Sequence, residues 1–110
     1  MRGEGLAPGS HLDLIGSFTP QMKEADPAAF GNGARVCIGT GEALTKAGDL
    51  LDALAAGTLT REAIHTDLAQ LCRGERTGRA NDSERTVFKA VGSALEDLAA
   101  ATLAWESRAA

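Results

Sequence analysis

The side chains and backbone groups that could do chemistry cluster in the last third of the chain. Thr86-Val87-Phe88 is a β-branched and aromatic run, and Lys89-Ala90-Val91-Gly92 carries it into a long amphipathic segment. A strand that turns at once into a helix aims the unpaired N–H groups of the first helical turn at one point. Such a point suits a carboxylate or a phosphate. The other candidates offer less. His11 stands alone at a predicted strand start, and His65 falls off the apolar face of a predicted helix, so both read as solvated side chains. Cys37 and Cys72 lack C-x-x-C spacing and sit in apolar patterns, as buried free thiols do in a reducing cytoplasm.

Gly39-Thr40-Gly41-Glu42-Ala43-Leu44 has the placement of a dinucleotide-binding loop, after a strand and before a helix. Leu44 replaces its third glycine, however, and the stretch about twenty residues on reads as helix rather than as a strand ending in an acid. The loop is therefore not assigned to a phosphate. Ser/His/Asp order and metal-ligand spacing are both missing, so no residue is given a catalytic or a metal-binding role.

The elements that must position these groups follow from periodicity. His11 to Ile15 and Arg35 to Ile38 read as strands, the second buried on both faces. Asp26-Pro27 caps and opens a short helix, and Gly31-Asn32-Gly33 ends it. Glu42 to Ala56 is expected to be one helix burying Leu44, Ala47, Leu51, Leu54 and Ala55. A second is expected from the N-cap Thr60, with Ile64, Leu68, Leu71 and Cys72 inward and Gly74 at its end. After the Thr86 strand, Val91, Leu95, Leu98, Thr102 and Trp105 share a helical face expected to close over a core. The order β-α-β-α-α-β-α predicts an α/β fold with parallel strands.

Composition bounds the rest. A chain of 110 residues with 44% hydrophobic and 24% charged residues is one ordinary globular domain at most. With a single Trp, three Phe and no Tyr, its core is expected to be thin and its stability marginal. A net charge of −4 leaves no basic face for nucleic acid. No apolar run is long enough for a membrane span, and no leader pattern precedes a cleavage site. A cytoplasmic protein is expected.

From Gly78 the run G-R-x-x-D-x-E-x-T-V-F-K-x-V-G-x-A-x-E-D-L-A-A-A resembles the C-terminal signature of the ornithine cyclodeaminase/mu-crystallin family. Pro8-Gly9-Ser10-His11-Leu12-Asp13-Leu14-Ile15-Gly16-Ser17-Phe18-Thr19-Pro20, then Met22-Lys23-Glu24 and Asp26, are similar to the family's late Rossmann segment, and Gly41-Glu42-Ala43-Leu44 and Ala47-Gly48-Asp49-Leu50 follow at fitting spacing. The resemblance covers nearly the whole chain. It implies a partial Rossmann domain over residues 1–57, its last two parallel strands with their helices. Residues 58–110 are then a strand-helix segment returning to the substrate and dimerisation domain. Family members are roughly three times as long, so Met1 is expected to begin midway through the Rossmann domain, leaving half of an NAD(P)H site.

On the matching positions, the resemblance puts Leu14, Ile15, Gly16 and Ala90 against the cofactor, and the N–H groups of Val91 and Gly92 on the substrate carboxylate. Gly16-Ser17-Phe18-Thr19-Pro20 is similar to the branch that reduces pyrroline-2-carboxylate and related cyclic ketimines. The cyclodeaminases have an aspartate where Phe18 stands, and a phenyl ring cannot handle protons. Ala90 replaces a frequent serine, Met22 a residue that is basic in some members, and the Gly39–Gly41 region an Asp-Thr-Arg. The implied ligand is a small cyclic imino acid or amino acid. A homo-oligomer or a separate N-terminal polypeptide is the implied partner, with little activity expected of this chain alone. The rival expectation is a non-catalytic interaction piece, either a relic or one half of a split enzyme.

Overall fold

The computed structural model describes residues 1–108. Four parallel strands form one sheet: β1 (His11–Leu14), β2 (Arg35–Ile38), β3 (Ile64–Asp67) and β4 (Thr86–Lys89), in the order β1-β4-β2-β3. Val87 lies level with Leu12 on one side and Val36 on the other, so β4 is the strand around which the sheet is registered. The expected boundary between residues 57 and 58 falls inside this sheet, with β1 and β2 before it and β3 and β4 after it.

Side-chain alternation along the strands selects one face as the core. Leu14, Val36, Ile38 and Val87 point there and meet Phe30, Leu50 and Leu59. Ala43, Ala47 and Ala53 are fully buried, and these methyl-sized side chains let the helical layer approach the sheet closely. Ala25 and Ala29 are buried with them, so alanines share this core with the larger Phe30, Leu50 and Leu59. Phe30 belongs to a 3-10 turn (Pro27–Phe30), and Asp26 before it accepts the Gly3 N–H at 2.9 Å rather than capping the turn.

Three expectations need correction. The helix expected over Glu42–Ala56 is two, α1 (Ala43–Lys46) and α2 (Gly48–Ala55), broken where Ala47 turns extended at ψ 106°. The break brings Gly48 against the carbonyls of Pro20 and Met22, where any Cβ would strike backbone. It also turns Leu50 and Ala53 inward, leaving Leu51 and Leu54 only partly buried. The helix expected from Thr60 is interrupted by a strand. Thr60 caps only a 3-10 turn (Arg61–Ala63), Ile64–Asp67 pairs with β2, and α3 (Leu68–Cys72) begins afterwards. Asp67 and Gln70 form a capping box at its start. An open edge beside β2 outweighs a 3.6-residue spacing of only four apolar residues. Finally, α4 (Ala94–Arg108) buries none of its residues: Leu95, Leu98, Leu103 and Trp105 are between 63% and 75% exposed. It does not close over the core of this chain.

Candidate functional site

The carboxyl ends of β1, β4 and β2 lie side by side, the edge at which open parallel sheets place their ligands. The Ala90 N–H donates to the Leu14 carbonyl at 2.9 Å, and the Gly39 N–H donates to the Lys89 carbonyl at 2.9 Å. A Cβ on Gly39 would stand 3.2 Å from that of Ala90, so the neighbouring chains run close there. This edge brings together Leu14, Ile15, Gly16 and Ala90.

Their surroundings differ. Leu14 is buried in the core and presents only backbone to the edge, whereas Ile15 is 69% exposed. Gly16 is half-buried, with its N–H already donated to Glu24. Val91 packs on the core margin, and Gly92 is exposed with φ +78°, a left-handed conformation that favours glycine. The strand does not turn at once into the helix. Residues 90–93 intervene, so the Val91 and Gly92 N–H groups precede the first turn of α4 rather than belonging to it. Ser93 Oγ accepts the Glu96 N–H at 3.2 Å and caps that turn.

Below the edge lies a charged cluster that the motifs did not reveal. Lys89, the last residue of β4, is fully buried on the core face beside Val87. Its Nζ is 3.1 Å from Glu24 Oε2 and 3.7 Å from Asp49 Oδ2. Asp49, in the first turn of α2, is also fully buried, and it accepts the Leu50 N–H at 2.9 Å and the Glu24 N–H at 3.4 Å. Glu24 Oε2 accepts the N–H groups of Gly16 at 2.8 Å and Ser17 at 3.2 Å, and Ser17 Oγ donates to the Met22 carbonyl. A lone buried ammonium would be very costly, and these two carboxylates compensate it. Burial pushes the Glu24 carboxyl upward. The Gly16 N–H, the Lys89 ammonium and the Ser17 N–H together outweigh that and hold it below its ordinary value. One sequence signal pointed here: Lys89 shares its strand face with Val87, and an inward lysine requires a partner.

The loop from Gly16 to Asp26, pinned by this cluster, presents Phe18 at 54% and Met22 at 38% exposure. With Ile15 they give the edge an apolar rim. The Gly39–Gly41 loop leads only into the four-residue α1. The strand judged missing beyond that loop does exist as β3, and it ends in Asp67, whose carboxylate is spent on capping α3. That helix cap accounts for the acid without a ribose.

Elsewhere the sequence readings change in detail. His65 is half-buried rather than solvated. Its Nε2 lies 2.9 Å from the Thr77 carbonyl, and Arg35 Nη1 lies 2.9 Å from Nε2 and 3.1 Å from Nδ1. Arg35 also donates to Glu84 at 2.9 Å, a bond that holds the Glu84 carboxyl below its ordinary value. His11 is exposed, with Nδ1 2.7 Å from Thr86 Oγ1. Cys37 is buried, and burial pushes its thiol up, but Cys72 is exposed. A groove of about 420 Å³ opens on the other sheet face among Cys37, Leu68, Leu71 and Phe88. The cations at its mouth are engaged: Arg35 with Glu84, and Arg79 with the carbonyls of Gly9 and Glu84. Among the described residues no His/Cys/Asp/Glu group could hold a metal, and no helix is long and apolar enough to cross a membrane.

Comparison with known proteins bears on this edge. The model of the ornithine cyclodeaminase/mu-crystallin family matches residues 1–110. The chain is 42% identical over 107 residues to Protein SAR DEFICIENT 4 of Arabidopsis thaliana, covering 97% of this chain and 33% of that protein. It is 39% identical over 104 residues to a Delta(1)-pyrroline-2-carboxylate reductase of Bacillus thuringiensis, covering 94% of this chain and 32% of that protein. The solved Thermococcus litoralis Delta(1)-pyrroline-2-carboxylate reductase, in complex with NADH and L-proline, superposes with a TM-score of 0.87 at 30% identity. That match covers 96% of this chain and 33% of the reductase. The chain thus spans about a third of the length of the relatives it matches.

Proposed function

The chain belongs to the ornithine cyclodeaminase/mu-crystallin family, and from that premise we propose that it forms the nicotinamide-side portion of an NAD(P)H-dependent reductase of cyclic ketimine carboxylates. Pyrroline-2-carboxylate is the model substrate. The carrying observation is the convergence of Leu14, Ile15 and Gly16 with Ala90 at the carboxyl end of the sheet, joined by the Ala90 N–H to Leu14 carbonyl bond. Backbone and small side chains line that edge, and a flat ring can approach such a surface closely.

NAD(P)H, when bound, supplies the hydride. The chain's own residues position and shield. Leu14, Ile15, Gly16 and Ala90 border the nicotinamide, with the exposed Ile15 as its apolar neighbour. The Val91 and Gly92 N–H groups face the substrate carboxylate. Phe18 keeps water from the rim and provides no base, which favours imine reduction over amine elimination and cyclisation. The sheet through β4 belongs to the dinucleotide-binding part, and α4 leads toward the substrate and dimerisation part. The two free cysteines fit a cytoplasmic setting. The edge has no glycine-rich phosphate loop of its own, so only the nicotinamide end is served and little turnover is expected of the chain alone.

The test is titration of NADPH and NADH into the purified chain, with folding checked by circular dichroism and turnover of pyrroline-2-carboxylate followed in parallel. Saturable binding without turnover is expected. A folded chain that binds neither dinucleotide would remove the cofactor role. One observation favours a second reading, an interaction piece: the uncovered apolar face of α4. A chain that shows no dinucleotide binding but captures a separate polypeptide carrying a dinucleotide fingerprint would support it.

A further inference from the structure

We propose that Lys89 is a positioning residue for this edge: its buried ammonium sets Glu24, and Glu24 in turn fixes the backbone of Gly16 and Ser17 opposite Ala90. The inference rests on the functional reading above, which it deepens, but its geometry stands on the side chains themselves.

Lys89 lies level with Leu14 at the end of β1 and with Ile38 at the end of β2. Its carbonyl accepts the Gly39 N–H at the end of β2. Its own successor, Ala90, donates to Leu14 at the end of β1. Its ammonium reaches Glu24, which accepts both N–H groups that follow Ile15. An apolar side chain would fill the same buried volume without needing Asp49 or Glu24, and such replacements of buried ion pairs are often neutral or stabilising. Bulk packing therefore gives no reason for a charge here. Its directional effect does, because of the three members only Glu24 reaches the surface, with its side chain 36% exposed. Among the described residues no second cation pairs with that carboxylate. Lys23 beside it pairs with Asp52 at 2.5 Å, and the Met1 amine donates to the Glu24 main-chain carbonyl.

The decisive comparison uses Glu24→Ala and the double variant Lys89→Met/Asp49→Asn, which leaves neither a buried ammonium nor its buried counter-charge. Amide exchange of Gly16 and Ser17 is read by NMR, NADPH affinity by titration, and melting by circular dichroism. Both variants are expected to exchange these amides about tenfold faster and bind NADPH about tenfold more weakly, the scale of one hydrogen bond to a charged group. The double variant should do so while melting near the wild type. A purely structural Lys89 predicts the opposite: exchange and affinity recover together with the melting temperature. That recovery, or faster exchange with unchanged NADPH affinity, overturns the proposal. If the wild-type chain binds no dinucleotide, the exchange rates still decide. Acceleration upholds the hold of Lys89 on the loop and removes the cofactor assignment, whereas unchanged exchange removes the hold itself.

Discussion

At the scale of single residues, the Lys89–Asp49–Glu24 cluster is where the chain is least tolerant. Asp49→Ala leaves the fully buried ammonium without its fully buried partner. Breaking such a pair costs about 3–5 kcal/mol, so urea denaturation should show either that loss or no cooperative transition. A loss under about 1 kcal/mol would mean that water reaches Lys89. Glu24 supplies a pH signature. Its carboxyl is held below its ordinary 4.5 in the folded chain, so it contributes stability above that value and loses it as pH falls through the lowered one. Melting temperature should therefore drop on acidification below about pH 4.5, and the drop should be shallower in Glu24→Gln; identical acid limbs would exclude Glu24 as its source. The strand patterns place Leu14, Ile15, Gly16 and Ala90 at strand ends, and the structure sets them at one sheet edge. Glu24, Asp49 and Lys89 stand in the family motifs, but their meeting is not legible there because it depends on contacts between residues 25 to 65 positions apart.

Among the elements, legibility followed the number of competing patterns. Arg35–Ile38 is a continuous apolar run bounded by turns and was readable as a strand to the residue. Ile64, Leu68, Leu71 and Cys72 have helical spacing, yet the first falls in β3 and the others in α3, because periodicity cannot register a vacant sheet edge. The division of α1 from α2 was equally hidden. It follows from Gly48 meeting the Pro20 and Met22 carbonyls, a contact between distant segments. A methyl group there must displace backbone, so Gly48→Ala should destabilise by about 1–3 kcal/mol, the range for overpacking, despite alanine's better helix propensity. A stabilised Gly48→Ala would show that α1 and α2 can join into one helix and release the Gly16–Asp26 loop.

For the whole molecule, shape diverges from that of a closed domain. The radius of gyration is 14.9 Å, against about 13 Å for a compact chain of this size. The excess belongs to α4, which carries the single tryptophan on an uncovered face. Trp105, 70% exposed, should emit at a solvent-like wavelength and be quenched by acrylamide nearly as readily as free indole. A blue-shifted, quencher-resistant emission would show α4 buried against another surface in solution. The sheet order has a further consequence, for synthesis. Among the described residues β1 pairs with β4 alone, and His11 stands opposite Thr86, 75 positions later. At about 5–20 residues per second, a nascent chain waits roughly 4–15 seconds between making β1 and making β4, its partner among the described residues. Throughout that interval β1 and β2 lack the strand that stands between them in the finished sheet. The strand that completes the ligand edge is thus also the one that first joins β1 to β2, a long-range pairing of the kind that slows folding.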